Sequence, residues 1–217
     1  PPHYALHNGW IRLDPSALAT KQRGRLQWMR ELLVGTRNRP GNFACHGLHE
    51  WAMVYRGHDI RHGATVPLRL PQDDIDAVVD RHPACCTHFD AFRFFAPEAK
   101  PRNKIQLELW TRENNEQPAC LHANMDLYKW TSKALPWVGS ELLWNCFQLA
   151  LQAREIDMRA SPYDLSSYGY TPIRIETEAG RRDYEAAQLT VSERASPLRQ
   201  QLISILLCFL FSMTFLA

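Results

Sequence analysis

The chain has no CxxC pair, and its six cysteines (Cys45, Cys85, Cys86, Cys120, Cys146 and Cys208) lack the regular spacing of a disulfide framework. Cys85 and Cys86 are adjacent, where a mutual disulfide would be strained. This usage excludes a small secreted disulfide scaffold and points to a reducing compartment, which we expect to be the cytoplasm. No charged segment followed by an apolar one opens the chain, so no signal peptide is read. Pro1 stands where Met would be expected, as in a truncated start. Excess charge of one sign is also missing: 25 Lys and Arg against 23 Asp and Glu leave +2 over 217 residues. That balance excludes a polybasic protein binding nucleic acid or membrane by bulk electrostatics. Internal repeats and linker-like runs are absent too, so one globular domain is expected over residues 1–201.

What is present is ordinary in bulk, with 45% apolar and 22% charged residues. Aromatics are generous at seven Trp, seven Tyr and nine Phe, and there are nine His. Asp14-Pro15 reads as a helix start, with apolar residues then recurring at helical period to a stop at Gly35. Asn42 can cap a second helix over Phe43 to Tyr55, and Asp73 to Asp80 reads as a brief third. Longer helices are expected from Pro118 to Ala134, Ser140 to Met158 and Glu178 to Ser196, the last closed by Pro197. Short strands are expected at Thr65 to Leu70 and Ile105 to Trp110. The fold class is therefore mainly α: a single compact helical domain with a few short strands and a C-terminal apolar tail. The tail, Leu202 to Ala217, carries no charge. It falls short of the ~20 residues of a membrane span and shows no polar face. We read it as foreign to the domain, with a short tail anchor and a buried terminal helix as alternatives.

Seven of the nine histidines lie between His46 and His122. His46, His49 and Glu50 share one face if the segment is helical, and His88 and Asp90 share a side if theirs is extended. His122 and Asp126 are four apart on the helix that carries Tyr128, Lys129 and Trp130. Imidazole with carboxylate suits a divalent metal, for which His49, His88 and His122 are the candidate ligands. A metal-free polar active site using Glu50, Asp90, His122 and Asp126 and a structural hydrogen-bonded network remain the alternatives. Each requires His49, His88 and His122 to converge. The turn Leu135-Pro136-Trp137-Val138-Gly139-Ser140 between two helices could present backbone amides to a phosphate, with Asp157 following at some distance. A bulky Trp137 obstructs that use, and Asp157 pairs more simply with Arg154. The polar run Asp157 to Leu165, with Arg159, suits substrate contacts.

Several strings carry a resemblance: FACHGLHEWAMVYR (Phe43 to Arg56), THFDAFRFF (Thr87 to Phe95), EQPACLHANMDLYKW (Glu116 to Trp130), EIDMRASPYDL (Glu155 to Leu165) and PIRIET (Pro172 to Thr177). Together they resemble a bacterial family whose members are commonly named 3-methyladenine DNA glycosylase, over about His3 to Leu202. The resemblance implies removal of an alkylated purine in DNA repair, with the base flipped between aromatic side chains. Trp51, Phe92, Tyr128 and Trp130 would stack, Arg93 and Arg159 would contact substrate, and Asp90 or Asp126 would stabilise the sugar cation. DNA is then the partner. The alternative is a His/Asp/Glu-site enzyme on a small molecule, with a divalent metal as cofactor, and a third reading is a non-catalytic binding protein. A membrane enters only if the tail is an anchor.

Overall fold

A computed structural model describes residues 3–58, 60 and 63–211. A hairpin comes first, β1 (Tyr4–His7) and β2 (Trp10–Leu13), paired antiparallel with Tyr4 opposite Leu13 and His7 opposite Trp10. Asn8 and Gly9 turn it, both at positive φ (49° and 81°), the backbone that a two-residue hairpin turn requires. Eight α-helices follow among the described residues: α1 (Thr20–Asn38), α2 (Leu48–Met53), α3 (Gln72–Arg81), α4 (Phe89–Phe92), α5 (Arg112–Asn115), α6 (Leu121–Lys133), α7 (Ser140–Ala160) and α8 (Glu178–Phe211). The mainly helical class is as expected. The strands are not where they were expected. Leu68 makes only an isolated bridge to Tyr163, and Ile105 to Trp110 is irregular, ending in a 3₁₀ turn with Ile105, Leu109 and Trp110 exposed.

Three helix boundaries move for local reasons. Asp14 caps a 3₁₀ turn by accepting from Ser16 N at 2.9 Å, and α1 starts only at Thr20. That helix passes through Gly35, because Leu32, Leu33 and Thr36 bury the stripe on either side. The second helix shrinks to α2: Asn42 caps only a turn by accepting from Ala44 N, while His46 and Gly47 take left-handed backbone at φ 46° and 73°. Gly47 is obligatory here on two counts, since an added Cβ would also press to 3.2 Å on Ala160 and Tyr184.

The core lies where α6 and α7 pack against each other and α8 crosses both, with α1 laid along α8. The expected boundary after residue 201 does not coincide with a break in this body. Helix α8 includes Pro197 and runs on to Phe211. Leu202, Ile203 and Leu206 are buried members of the core. Phe209 packs on Trp137 at 5.1 Å, and Arg23 donates to the Leu210 carbonyl at 3.0 Å. One face of the first nine residues of the tail, with Leu202, Ile203 and Leu206, therefore packs as a buried terminal helix does, and residues 212–217 lie outside the described residues. Among the described residues no helix is long and apolar enough to cross a membrane.

Candidate functional site: a chain of buried histidines and carboxylates

Three local devices bring the site together. Trp51 is fully buried, and its Nε1 donates to the Ala160 carbonyl at 2.9 Å, fastening α2 to the C-terminal end of α7. His49 thereby meets Asp157, one turn before Ala160. The short connection between α6 and α7 returns the chain antiparallel, so His122 at the start of α6 faces the end of α7. His88 ends the segment before α4 and also leans on His122. The His49 and His122 rings stand edge to face at 4.5 Å, and His88 stacks on His122 at 5.4 Å. The expected convergence of the three imidazoles is present.

Two groups of ligand-type side chains adjoin along this row. In the first, His49, His122 and Asp157 bring one ligand atom each within 4.8 Å of the others. His49 Nε2 is 2.8 Å from Asp157 Oδ1, and His122 Nε2 is 4.0 Å from Asp157 Oδ2. Glu50 Oε1 lies 4.0 Å from His49 Nε2. Although close, His49 Nε2 and Asp157 Oδ1 make no aligned hydrogen bond, and both atoms are fully buried. Arg154, half exposed, reaches over the group to Asp157 Oδ2 at 3.0 Å and Glu50 Oε1 at 3.4 Å.

In the second group, His88, Glu116 and Asp126 are equally close, but a cation already stands among them. Arg112 bonds Glu116 and Asp126 at short range, Asp90 Oδ2 at 2.9 Å and His88 Nε2 at 3.1 Å. Lys129 adds its ammonium to Asp126, and lies 3.4 Å from Asp90. A guanidinium with four partners satisfies the charge that a metal would otherwise neutralise. His88 is therefore set apart from His49 and His122 as a ligand candidate.

Electrostatics separate the roles further. Burial disfavours a charge on His49, but the adjacent Asp157 carboxylate outweighs it and raises the imidazole well above its usual value. Asp157 is depressed in turn: burial opposes its charge, and His49 overcomes that. His122 is pushed down to about 3 by burial and by the His49 cation, so it is a neutral imidazole. Glu50 is raised by burial and by the neighbouring Asp157 charge. Asp126 and Asp90 are both lowered, each against burial, Asp126 by the His88 hydrogen bond and Asp90 by Arg112. On one side this row borders a small cavity of about 10 Å³ lined by Cys45, Cys86 and Cys120, room for one water at most. On the other, Glu50 and Arg154 form a wall of an open pocket of about 200 Å³ with Met53, Met158, Ser161 and Tyr163.

The other nominated residues are placed elsewhere. His46 precedes α2 rather than sharing its face, and its ring sits 6.4 Å from Tyr184. Phe92 is buried against Phe95 at 5.2 Å, and Trp130 is buried with Trp28 edge-on at 5.6 Å. Tyr128 packs on Phe147 at 5.2 Å on the outer side of α6 and α7. Arg93 is exposed over Phe94 and 3.6 Å from Asp90. Arg159 holds the Thr171 carbonyl at 2.9 Å and Glu155. The helix–turn–helix carrying Gly139 puts Asp157 near the far end of the unbroken helix α7, about 27 Å along its axis at 1.5 Å per residue. Arg112, Glu116 and the approach of His49 to Asp157 were not anticipated, whereas the pairing of Asp157 with Arg154 is as expected. The i, i+4 spacing of Arg112 and Glu116 was the available signal for that pair.

No family model matches the chain, and neither a curated protein nor a solved structure does. The functional reading rests on the geometry.

Proposed function

We propose that the chain is a metal-dependent enzyme acting on a small molecule, with His49, His122 and Asp157 as ligands and Glu50 as general base. The observation that carries this reading is the buried pair His49 Nε2 and Asp157 Oδ1, which face each other at 2.8 Å without an aligned hydrogen bond. Buried polar atoms are nearly always satisfied, and a cation between these two and His122 would satisfy both. Two imidazoles and one carboxylate leave coordination positions open, the arrangement of catalytic rather than structural sites. A divalent ion held there would supply water acidified toward neutral pH.

The protein's own groups divide the remaining work. Glu50, raised and at the pocket wall, is suited to take a proton from that water. Arg154, now spanning Asp157 and Glu50, is half exposed and free to swing toward an anionic group of the substrate. His49 must lose its proton to become a ligand, so metal binding would release one. Hydrolysis of a small anionic ester fits the open pocket of about 200 Å³. We favour this reading over excision of an alkylated base from DNA. Trp51 and Phe92 are buried, and Asp90 and Asp126 are bound to Arg112 and Lys129.

Calorimetric titration of the chelator-treated full chain with Zn²⁺ or Mn²⁺ tests the site. One equivalent should bind, with a buffer-dependent heat from the released proton, and Asp157→Asn should weaken binding at least 100-fold. Absence of binding at 100 μM metal would overturn the reading. Tight binding without turnover of p-nitrophenyl phosphate or acetate would refute the hydrolytic part alone.

A further inference from the structure

A second, larger groove of about 540 Å³ lies between α1 and the end of α6, apart from the histidine row. Its walls include three indoles, Trp28, Trp130 and Trp137, and its charged lining residues are Arg25 and Lys133. Gln22 is the remaining polar group. No carboxylate lines it. Glu113, which is not among the lining residues, accepts from Trp28 Nε1 at 3.0 Å.

The walls are held in place before any ligand arrives. Trp130 is buried, with Trp28 edge-on to it. Trp137 is clasped between His3 at 5.4 Å and Phe209 at 5.1 Å. Cations surround the Trp130 ring: Lys129 at 4.4 Å, Arg112 at 5.3 Å and Lys133 at 5.4 Å from its centroid. Lys129 and Arg112 are committed to the carboxylates of the histidine row, whereas Lys133 has no acidic partner among the described residues. Arg25 is exposed and has neither an ion pair nor a hydrogen bond there. Rigid indoles set face and edge to a cavity favour a flat aromatic ring. Two uncompensated cations at its rim favour a negative charge on that ring's substituent. The volume is that of an ordinary small-molecule site.

We propose that this groove binds a planar aromatic small molecule bearing an anionic group. The ring lies among Trp28, Trp130 and Trp137, and the carboxylate or phosphate meets Arg25 and Lys133. The site does not depend on the metal reading, since none of its lining residues belongs to the first histidine group.

The probe is 1-anilinonaphthalene-8-sulfonate, titrated into the full chain beside its uncharged relative N-phenyl-1-naphthylamine. The double variant Arg25→Glu with Lys133→Glu changes only exposed side chains, and Arg25→Gln with Lys133→Gln serves as a milder second. We expect one saturable site for the anion, weakened at least tenfold in the Glu variant and about threefold in the Gln variant. The neutral probe should change less than twofold. Equal loss of both probes, or none in either variant, would overturn the proposal. Competition then distinguishes the sources: displacement by 1-naphthoate assigns an aromatic carboxylate, displacement by AMP assigns a nucleotide, and displacement by neither overturns the proposal.

Discussion

His122 is the sharpest place to test the electrostatic description of the site. Its ring touches both His49 and His88, retains 22% exposure, and is pushed down to about 3 by burial and by the His49 cation. In the unfolded chain the same imidazole titrates near 6.5. As pH falls below 6.5, the unfolded state therefore takes up a proton that the folded state refuses, and stability must fall. The limiting slope is about 1.4 kcal/mol per pH unit. The loss over pH 6.5 to 4 should therefore approach about 3 kcal/mol, and be somewhat smaller in so far as the ring is partly exposed. The neighbours do not mask this limb. His49, raised in the fold, is protonated in both states below 6.5, so its contribution is constant there and declines only at higher pH. Asp126 and Asp157, depressed in the fold, hold their contribution above about 3.8 and lose it only below. His46 and His82, also lowered, add smaller losses of the same sign, while Glu50, raised, opposes them. Urea unfolding of metal-free protein at constant ionic strength, at half-unit steps from pH 7 to 4, measures the slope. His122→Gln keeps the volume and cannot titrate, so its curve should lose less than half as much. Parallel curves for the two proteins would refute the buried neutral imidazole.

Other perturbations read out other parts of the structure. Ending the chain after residue 201 removes Leu202, Ile203 and Leu206, each stabilising by about 1.5–3 kcal/mol. Against a total of about 5–15 kcal/mol, the shortened protein should lose its near-UV circular dichroism at 25 °C, and a melting temperature within two degrees of the full chain would refute the packing. Leu206→Ala alone should cost about 2–5 kcal/mol in urea unfolding. Arg112→Met leaves Glu116, Asp126 and Asp90 short of their shared cation and should cost about 3–5 kcal/mol; adding Glu116→Gln should recover part of it, and an unchanged urea midpoint in the single variant would count against the network. Trp51→Phe removes the donor to the Ala160 carbonyl and should cost about 1–3 kcal/mol; because that bond fastens α2 to α7, metal affinity measured by calorimetry should fall with it.

The sequence by itself determined the helical class and much of the site's membership. Apolar periodicity announced α3, α6 and α7 to within about three residues at each end, because their stripes are continuous and their ends carry ordinary signals. The i, i+4 spacing of His122 and Asp126 put both on one face of α6, and that face is the one used. The hairpin too has a local signal, Asn8-Gly9 between two short apolar runs. Tertiary structure alone decided the rest. Helix α8 outlasts Pro197 and runs on to Phe211 because Leu202, Ile203 and Leu206 enter the core and Phe209 packs on Trp137, a fact no local pattern contains. His46 leaves the site because Gly47 must turn left-handed to let the backbone touch Ala160 and Tyr184. The two carboxylate groups look alike in sequence and differ in kind: Arg112 fills one, while the other keeps two buried ligand atoms facing each other unsatisfied. That difference depends on where a guanidinium from α5 comes to rest against α6, and long-range packing sets such distances where residue spacing cannot.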